Sequence, residues 1–266
     1  MFQRTRFPLN SAILIPHLAD ADQRDMEQID VVVLTKNSAR TISQCLNSIR
    51  TCIPVSRIVV VDDSDDRGET LRIASKYTDQ IYKFSGNIGE KRDHAIDLVV
   101  TPIFAYVDSD VVVNRAAFKR SMEILESDKS IAAVHNKGRP TDPRDFLSDG
   151  SHRNLTFGFA LLRTAALKES RVPHQPKGED AATGRRLQRL GYSIAWQDEF
   201  VSDHLRTLFE AYVHYFWYGK QGYFEGHPTY VIRKLAKHRN IKMLVLQLFL
   251  LAGYTEYRLR RIGRSL

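Results

Sequence analysis

Short apolar runs alternate with stretches of helical periodicity in the first half of the chain. Residues 31–34 form an uninterrupted apolar run of strand length. After a polar stretch, apolar residues recur three or four positions apart at Ile42, Cys45, Leu46 and Ile49. This pattern predicts a buried strand, a polar loop and an amphipathic helix in succession.

The same unit is repeated as far as residue 113. Strands are predicted at residues 58–61, 80–84 and 103–107, and helical apolar spacing follows the first two of them. Strands that are apolar throughout and alternate with helices are typical of a mostly parallel sheet with helices on both faces. The predicted fold class is therefore α/β.

The second half continues the alternation with longer interruptions. The pattern predicts strands at residues 131–134, 156–162 and 193–196, helices at 118–125 and 182–190, and polar loops at 136–153 and 173–178. A loop as long as the first of these is usually functional or disordered when it interrupts a compact domain.

Polar residues follow each of the first four predicted strands. In open α/β sheets, ligands bind in the crevice outside the carboxyl ends of the strands. Those ends carry, in chain order, Thr35 and Asn37, Asp62 and Asp63, Asn87 and Gly89, and Asp108 and Asp110. The pattern therefore predicts one polar crevice lined by four loops.

Asp108-Ser109-Asp110 places two carboxylates directly after the strand predicted at 103–107. Buried carboxylates need compensation and hard divalent cations take oxygen ligands, so a cation that carries a diphosphate is one interpretation. A solvated turn is the other, because Asp and Ser are common turn residues. The three other polar loops favour the cation site.

A second acidic pair, Glu179 and Asp180, stands just before the helix predicted at 182–190. A helix dipole favours carboxylates at the helix N-terminus, so a capped helix explains this pair as well as a functional site does. His204 follows the last predicted strand, and a lone histidine there is typical of a hydrogen-bonded surface residue.

Net charge adds a preference for anionic partners. The 266 residues carry a formal net charge of +8, which suits nucleotides, phospholipid surfaces or nucleic acid. A basic nucleic-acid-binding protein is one alternative, but its acidic residues would be scattered, whereas these gather at strand ends, so no nucleic acid is expected.

Two cysteines, Cys45 and Cys52, are too few for a disulfide framework, and no signal-peptide pattern opens the sequence, so we expect a cytoplasmic protein.

In their order along the chain, these segments resemble the inverting, nucleotide-sugar-dependent glycosyltransferases of family 2, which have the GT-A fold. The resemblance covers about residues 29–205 and is carried by segments 31–37, 59–64, 87–95, 108–110 and 178–192. The third segment departs from the family pattern at Asp93, where asparagine is usual, so Asp93 is given no role.

The resemblance implies a nucleotide-sugar donor, most simply a UDP-sugar, and a Mn²⁺ or Mg²⁺ ion. The metal ligands it implies are Asp108, Asp110 and His204. The residues it implies for nucleotide binding are Thr35, Asn37, Asp62, Asp63, Asn87, Gly89, Lys91, Arg92 and Asp108. Asp180 would be the general base toward a glycan or lipid-linked acceptor, and Glu179 would position the sugar or the acceptor. A retaining transferase or a nucleotidyltransferase on a related sheet is the alternative enzyme class.

The chain is predicted to have three parts. Residues 1–28 form an N-terminal arm, 29–207 a catalytic domain, and 208–266 an aromatic and basic helical extension. Within the catalytic domain, residues 29–113 are the nucleotide-binding half and residues 114–207 the acceptor half.

The extension contains an apolar run at residues 241–253 that is too short to cross a bilayer. Basic residues flank this run over 233–264. An interfacial helix on an anionic membrane, which would make the protein peripheral on the cytoplasmic face, is one interpretation. A helix that packs on the catalytic domain and has a solvated basic end is the other.

Overall fold

The computed structural model describes residues 27–139, 154–220 and 241–262. Nearly all of the predicted N-terminal arm, most of the predicted loop at 136–153 and the first part of the basic flank lie outside the described residues.

Strands and helices alternate from residue 29 to residue 108, as the apolar pattern predicts. In chain order they are β1 (Ile29–Thr35), α1 (Ile42–Cys52), β2 (Val55–Asp62), α2 (Glu69–Ala74), β3 (Ile81–Lys83), α3 (Ile88–Leu98) and β4 (Ile103–Asp108).

The alternation is less regular after residue 108, and two helices follow the last strand. The elements from residue 111 to residue 204 are β5 (Val111–Val112), α4 (Arg115–Ser127), β6 (Ile131–Arg139), β7 (Phe159–Arg163), α5 (Thr164–Ser170), α6 (Glu179–Arg189) and β8 (Ser193–His204). The extension contributes α7 (Leu208–Lys220) and α8 (Ile241–Ile262).

Within the described residues, eight strands form one sheet in the order β3-β2-β1-β4-β7-β6-β8-β5. The strands from β3 to β4 are parallel, whereas β7 runs antiparallel to both of its neighbours, β4 and β6. Thr35 pairs with Asp62, and Leu34 pairs with Asp108. This register brings the polar ends of β1, β2 and β4 to the same edge of the sheet.

Both faces of the sheet are buried, which explains why its strands are apolar throughout. Val31 and Val33 of β1 face a core formed with α1 and α4. Val32 and Leu34 of the same strand face a second core formed with α3, α5 and α6.

Two strands of the second half of the chain extend well beyond their predicted C-terminal ends. The prediction that β8 covers only residues 193–196 is wrong, since it runs to His204, and β6 runs to Arg139 into the predicted loop. Polar residues obscured both extensions, because Asn136 and Gln197 are buried where the two strands pair. Gln197 Nε2 donates to Asn136 Oδ1 at 2.8 Å, so each satisfies the other inside the sheet.

A buried ion pair fastens the opposite end of β1. The fully buried Asp30 carboxylate accepts hydrogen bonds from Arg57 Nε at 3.0 Å and Nη2 at 2.5 Å, and from the amide of Val100 at 2.9 Å. Burial raises the pKa of Asp30, but these hydrogen bonds and the charge of Arg57 outweigh it, so the net pKa lies below the ordinary value. Both carboxylate oxygens of Asp30 therefore have protein partners.

The helices α7 and α8 pack on each other around a small core of their own, Tyr215, Leu246 and Leu250. They touch at Gly219 and Gly253, where a Cβ atom would clash with the backbone of the facing helix. No helix among the described residues is long and apolar enough to span a membrane.

Candidate active site

A carboxylate with one open oxygen lies at the ends of β1 and β2. Asp62 is 2% exposed, and its Oδ1 accepts hydrogen bonds from Thr35 Oγ1 and Ser64 Oγ, both at 2.6 Å. Asp62 Oδ2 is buried and has no hydrogen-bond partner among the described residues. A buried acceptor without a donor is costly, so this oxygen is suited to a donor that arrives with a ligand.

Two lysines flank the neighbouring carboxylate. Asp63 Oδ2 lies 3.2 Å from Lys36 Nζ and 3.3 Å from Lys91 Nζ. Burial raises the pKa of Asp63, but the two lysines outweigh it and the net pKa is lowered. Lys91 is itself buried, which lowers its pKa despite Asp63. The result is a positively charged rim beside Asp62.

Asn37, Asn87 and Gly89 are each engaged within the protein. Asn37 has a positive φ of 53° and joins two loops, because its Nδ2 donates to Asp65 Oδ1 at 2.6 Å. Asn87 caps α3 and accepts from the Glu90 amide at 3.0 Å. The Gly89 amide donates to Gln175 O at 3.2 Å, and a Cβ there would clash with Pro173 O. Gly89 therefore allows α3 to approach the loop before α6.

Arg92 joins two carboxylates that lie far apart in the sequence. Its Nη2 donates to Asp108 Oδ1 at 3.0 Å, and its Nε donates to Glu179 Oε1 at 3.2 Å. The guanidinium carbon lies 5.1 Å from the ring centroid of Tyr106 and 4.9 Å from that of Phe157. The buried cation thus lies over two adjacent aromatic rings, whose centroids are 5.0 Å apart, and bridges β4 to α6.

The two carboxylates held by Arg92 have opposite pKa shifts. Burial raises the pKa of Asp108, but Arg92, His204 and Arg206 outweigh it, so the net pKa is lowered. Burial also raises the pKa of Glu179, where Arg92 opposes it and Asp180 adds to it, and the result is a pKa of about 7. Asp108 is therefore ionised at neutral pH, whereas Glu179 is close to its midpoint.

The three implied metal ligands lie near one another, partly engaged by arginines. Asp110 Oδ2 lies 2.9 Å from Arg206 Nη2, while the buried Asp110 Oδ1 has no hydrogen-bond partner among the described residues. A Cβ on Gly158 would lie 3.3 Å from His204 Nε2 and 3.7 Å from Asp108 Oδ2, so this glycine makes room between them.

Within the described ranges, no three His, Cys, Asp or Glu side chains are arranged to hold a metal ion as they stand. Arg92 holds one oxygen of Asp108, and Arg206 holds one oxygen of Asp110. The open Asp110 Oδ1 nevertheless matches the oxygen donors that Mn²⁺ and Mg²⁺ prefer, so the residues present fit such an ion.

Glu179 and Asp180 open α6 after a tight turn. Gly178 has a φ of +72°, and the first turn of α6 contains both carboxylates. Glu179 is 6% exposed and faces Arg92, whereas Asp180 is only partly buried and its Oδ1 accepts from the Ala181 amide at 2.7 Å. Of the two, Asp180 is the more accessible to a second substrate.

Asp93 holds the loop that leads to these carboxylates. Its Oδ1 accepts from the Val172 amide at 2.9 Å, and its Oδ2 accepts from Arg171 Nη2 and lies close to His174 Nε2, both at 3.0 Å. Asp93 is 8% exposed. It therefore ties α3 to the loop before α6.

The helix α7 contacts loops of both halves of the crevice. Arg40, near the end of β1, forms an ion pair with Glu210 of α7 at 2.7 Å. Lys177, which directly precedes the turn into α6, places its Nζ 4.2 Å from the ring centroid of Tyr218. The C-terminal helices are thus attached to the candidate site on two sides.

A family model described as Glycosyl transferase family 2 matches residues 30–175. The chain belongs to this family. The match begins in β1 and ends in the loop that Asp93 holds, so it covers the four polar strand ends and Arg92. Family 2 membership confirms the resemblance found in the sequence.

One relative matches part of this family 2 chain in sequence. This chain is 29% identical to poly(ribitol-phosphate) beta-N-acetylglucosaminyltransferase TarP of Staphylococcus aureus over 103 residues. The alignment covers 35% of this chain and 32% of that protein. The chain thus matches about a third of the length of this relative.

Solved structures of low sequence identity confirm the GT-A fold. Glucosyl-3-phosphoglycerate synthase from Mycobacterium tuberculosis with Mg²⁺ and UDP has a TM-score of 0.57 and 18% identity, over 72% of this chain and 76% of that one. The mannosyltransferase PcManGT from Pyrobaculum calidifontis with GDP-Man and Mn²⁺ has a TM-score of 0.57 and 16% identity, over 86% of this chain and 73% of that one.

Sequence reasoning missed several residues that shape the candidate site. Asp93 lies inside a matched segment, and its departure from the family pattern was the available signal. Arg206 follows His204 by two residues and gave no signal by spacing. Arg40 and Lys177 are common surface types whose partners on α7 are distant in the sequence. Their roles follow from three-dimensional contacts.

Proposed function

We propose that this glycosyltransferase is an inverting enzyme that transfers a sugar from a nucleotide-sugar, most simply a UDP-sugar, to a hydroxyl or phosphate of a glycan or lipid-linked acceptor. The observation that carries the proposal is the Arg92 bridge. It holds Asp108, on the side of the polar strand ends, to Glu179, beside the accessible Asp180. Donor and acceptor groups would then meet across one buried cation.

The strand ends supply the donor side. Asp62 Oδ2 is a hydrogen-bond acceptor without a donor among the described residues. An N–H of the base or an O–H of the ribose would supply that donor. Lys36 and Lys91 bring positive charge to the same place. These contacts suit a nucleoside diphosphate, whose phosphates attract cations and whose base and ribose carry donors.

Asp108, Asp110 and His204 are the residues that would hold Mn²⁺ or Mg²⁺. When bound, the ion would neutralise the negative charge that develops on the leaving diphosphate. Arg206, already paired with Asp110 at 2.9 Å, adds a fixed positive charge at the same position.

Asp180 is proposed as the general base. It would accept the proton of the acceptor hydroxyl as the oxygen attacks the anomeric carbon on the face opposite the nucleotide, and such a single displacement inverts the anomer. Glu179 is less suited to that role, because it is buried and paired with Arg92. Its proposed role is to position the acceptor or the sugar.

Asp180→Asn tests this assignment. The exchange keeps the size of the side chain and removes its basicity, so transfer should fall by about 10²- to 10⁴-fold while UDP binding stays the same. Full transfer by the variant would remove Asp180 as the base. The anomeric configuration of the product distinguishes inversion from the retaining alternative, and UDP affinity with and without a chelator tests the ion.

The location of the enzyme is part of the proposal. We propose a cytoplasmic protein whose segment 233–264 contacts anionic membrane. Support comes from the free thiols of Cys45 and Cys52 and from the basic residues of the segment, of which the structure describes residues 241–262.

A further inference from the structure

The helix α8 presents an uncharged apolar stripe to solvent along most of its length. The stripe is defined by five exposed side chains: Ile241 (73% exposed), Leu244 (43%), Leu248 (54%), Leu251 (45%) and Leu259 (63%). The first four are spaced three or four residues apart, and Leu259 lies eight residues further, which places all five on one face of the helix. Exposed leucines in such an array mark an interaction surface.

This stripe is not part of the packing between α7 and α8. The side of α8 that faces α7 consists of other residues: Leu246 and Leu250 are 0% exposed, and Gly253 touches the backbone of α7. By helical spacing, these three lie on the side of α8 opposite the stripe. The stripe therefore needs a partner outside the helix pair.

The charges of α8 indicate which partner. The helix has four basic residues, Lys242, Arg258, Arg260 and Arg261, and one acidic residue, Glu256. Glu256 is already paired with Lys220 and Arg260. A second copy of α8 would bring like charges together in either orientation, because basic residues stand near both ends. An anionic surface would be attracted to them.

Resting on the membrane contact proposed above for segment 233–264, we propose that the apolar stripe of α8 is the surface on which the protein docks to anionic lipid. The leucines enter the boundary between headgroups and acyl chains, while Arg258 and Arg261 at the C-terminal end of α8 meet lipid phosphates. The 22-residue helix lies along the bilayer, since no described helix can cross it.

The other helix of the pair connects α8 to the catalytic domain. Through Glu210 and Tyr218, α7 contacts Arg40 and Lys177, which lie at the two sides of the crevice. Docking through α8 would therefore hold the crevice at a set orientation to the lipid surface, where a lipid-linked substrate is presented.

Flotation with vesicles tests the docking surface without donor, acceptor or metal, so its result is independent of the proposed reaction. The full chain is mixed with phosphatidylcholine vesicles that contain or lack phosphatidylglycerol, at low and high salt. We expect flotation with the anionic vesicles at low salt, and release at high salt as the attraction is screened.

Two sets of variants assign the contact. Leu244→Gln/Leu248→Gln/Leu251→Gln should weaken vesicle binding by about a hundredfold or more, since three apolar side chains lose their insertion. Arg258→Gln/Arg261→Gln should weaken it by roughly fivefold for each arginine. Val100→Gln/Leu190→Gln, which removes exposed apolar side chains of the catalytic domain (71% and 45% exposed), should bind like the unchanged protein. Matching thermal melts show that each variant is folded.

Three results would overturn the proposal. Absence of flotation by the intact chain is one, and equal flotation by the triple leucine variant is another. The third is a dimer in analytical ultracentrifugation that the triple variant dissociates, without vesicle binding, which would assign the stripe to a second copy of the chain.

Discussion

Buried carboxylates lie near both ends of β1, but only those near one end have all of their oxygens hydrogen-bonded within the protein. At the N-terminal end, Asp30 is fully buried and all of its oxygens are satisfied by Arg57 and a backbone amide. At the carboxyl end, Asp62 and Asp110 each keep one buried oxygen without a hydrogen-bond partner in the described part of the chain. A closed cluster stabilises the fold by itself. An open one is complete only when a ligand adds donors or a cation, which distinguishes a site from a structural ion pair.

The largest effect is expected from removing the Asp30 carboxylate, whose oxygens are all hydrogen-bonded within the protein. Asp30→Ala leaves Arg57 without its buried partner and should lower the free energy of unfolding by about 3–5 kcal/mol. Urea denaturation measures this loss. At temperatures where the variant is folded, its affinity for UDP should equal that of the unchanged protein. A cost below about 1 kcal/mol, the range of an exposed pair, would contradict the assignment.

The raised pKa of Glu179 predicts that the free energy of unfolding depends on pH. The pKa is 4.5 in the unfolded chain and about 7 in the folded one, so the folded state holds the proton more tightly. The contribution of Glu179 to stability is complete below pH 4.5, falls as the pH rises toward 7, and then stays low. The fall corresponds to roughly 1.4 kcal/mol for each unit of pKa shift.

Comparison with Glu179→Gln isolates this contribution. The variant keeps the size of the side chain and does not titrate, so the difference in unfolding free energy between the two proteins should change between pH 4.5 and 7 and be flat above it. Urea denaturation with a chelator present measures it. A difference that is constant across this range would mean that Glu179 titrates normally.

Arg92 tests whether the two halves of the site act together. Arg92→Lys keeps a positive charge but carries all of its N–H groups on one nitrogen, so it cannot replace both the Nη2 contact with Asp108 and the Nε contact with Glu179. We therefore expect kcat to fall by about 30-fold, a cost typical of charge-assisted hydrogen bonds. The KM for the donor should change much less. The matched control is Lys91→Arg, which keeps the charge beside Asp63. A loss confined to KM would make Arg92 a donor-binding residue instead.

The smallest effect is expected at Asp62. Asp62→Asn keeps an acceptor for Thr35 and Ser64 but turns the open oxygen into an amide that donates, so UDP affinity should fall by about tenfold. The free energy of unfolding should change by less than about 1 kcal/mol, in contrast to Asp30→Ala. Calorimetric titration with UDP checks the first expectation. Unchanged affinity would show that the open oxygen does not meet the nucleotide.

Most of the fold could be predicted because its signals are local. The apolar run at residues 31–34 and the helical spacing after it predicted β1 and α1, and the structure confirms both. The strand extensions were missed because Asn136 and Gln197, polar residues typical of loops, are satisfied by each other only after β6 and β8 have paired. The site residues remain predictions, and their neighbourhood is now defined.

The sequence by itself determined the α/β class, the order of the strands and helices through β4, and the gathering of polar residues at one edge of the sheet. Periodicity and the rule that parallel strands share a carboxyl edge are sufficient for these conclusions. Only the tertiary structure decided that β7 runs antiparallel and that Asp93 holds the loop before α6. It also decided that Arg92 joins Asp108 to Glu179, 87 residues from Arg92 along the chain. Ion-pair partners at such separations are selected by packing and strand register, which no local pattern of residues records.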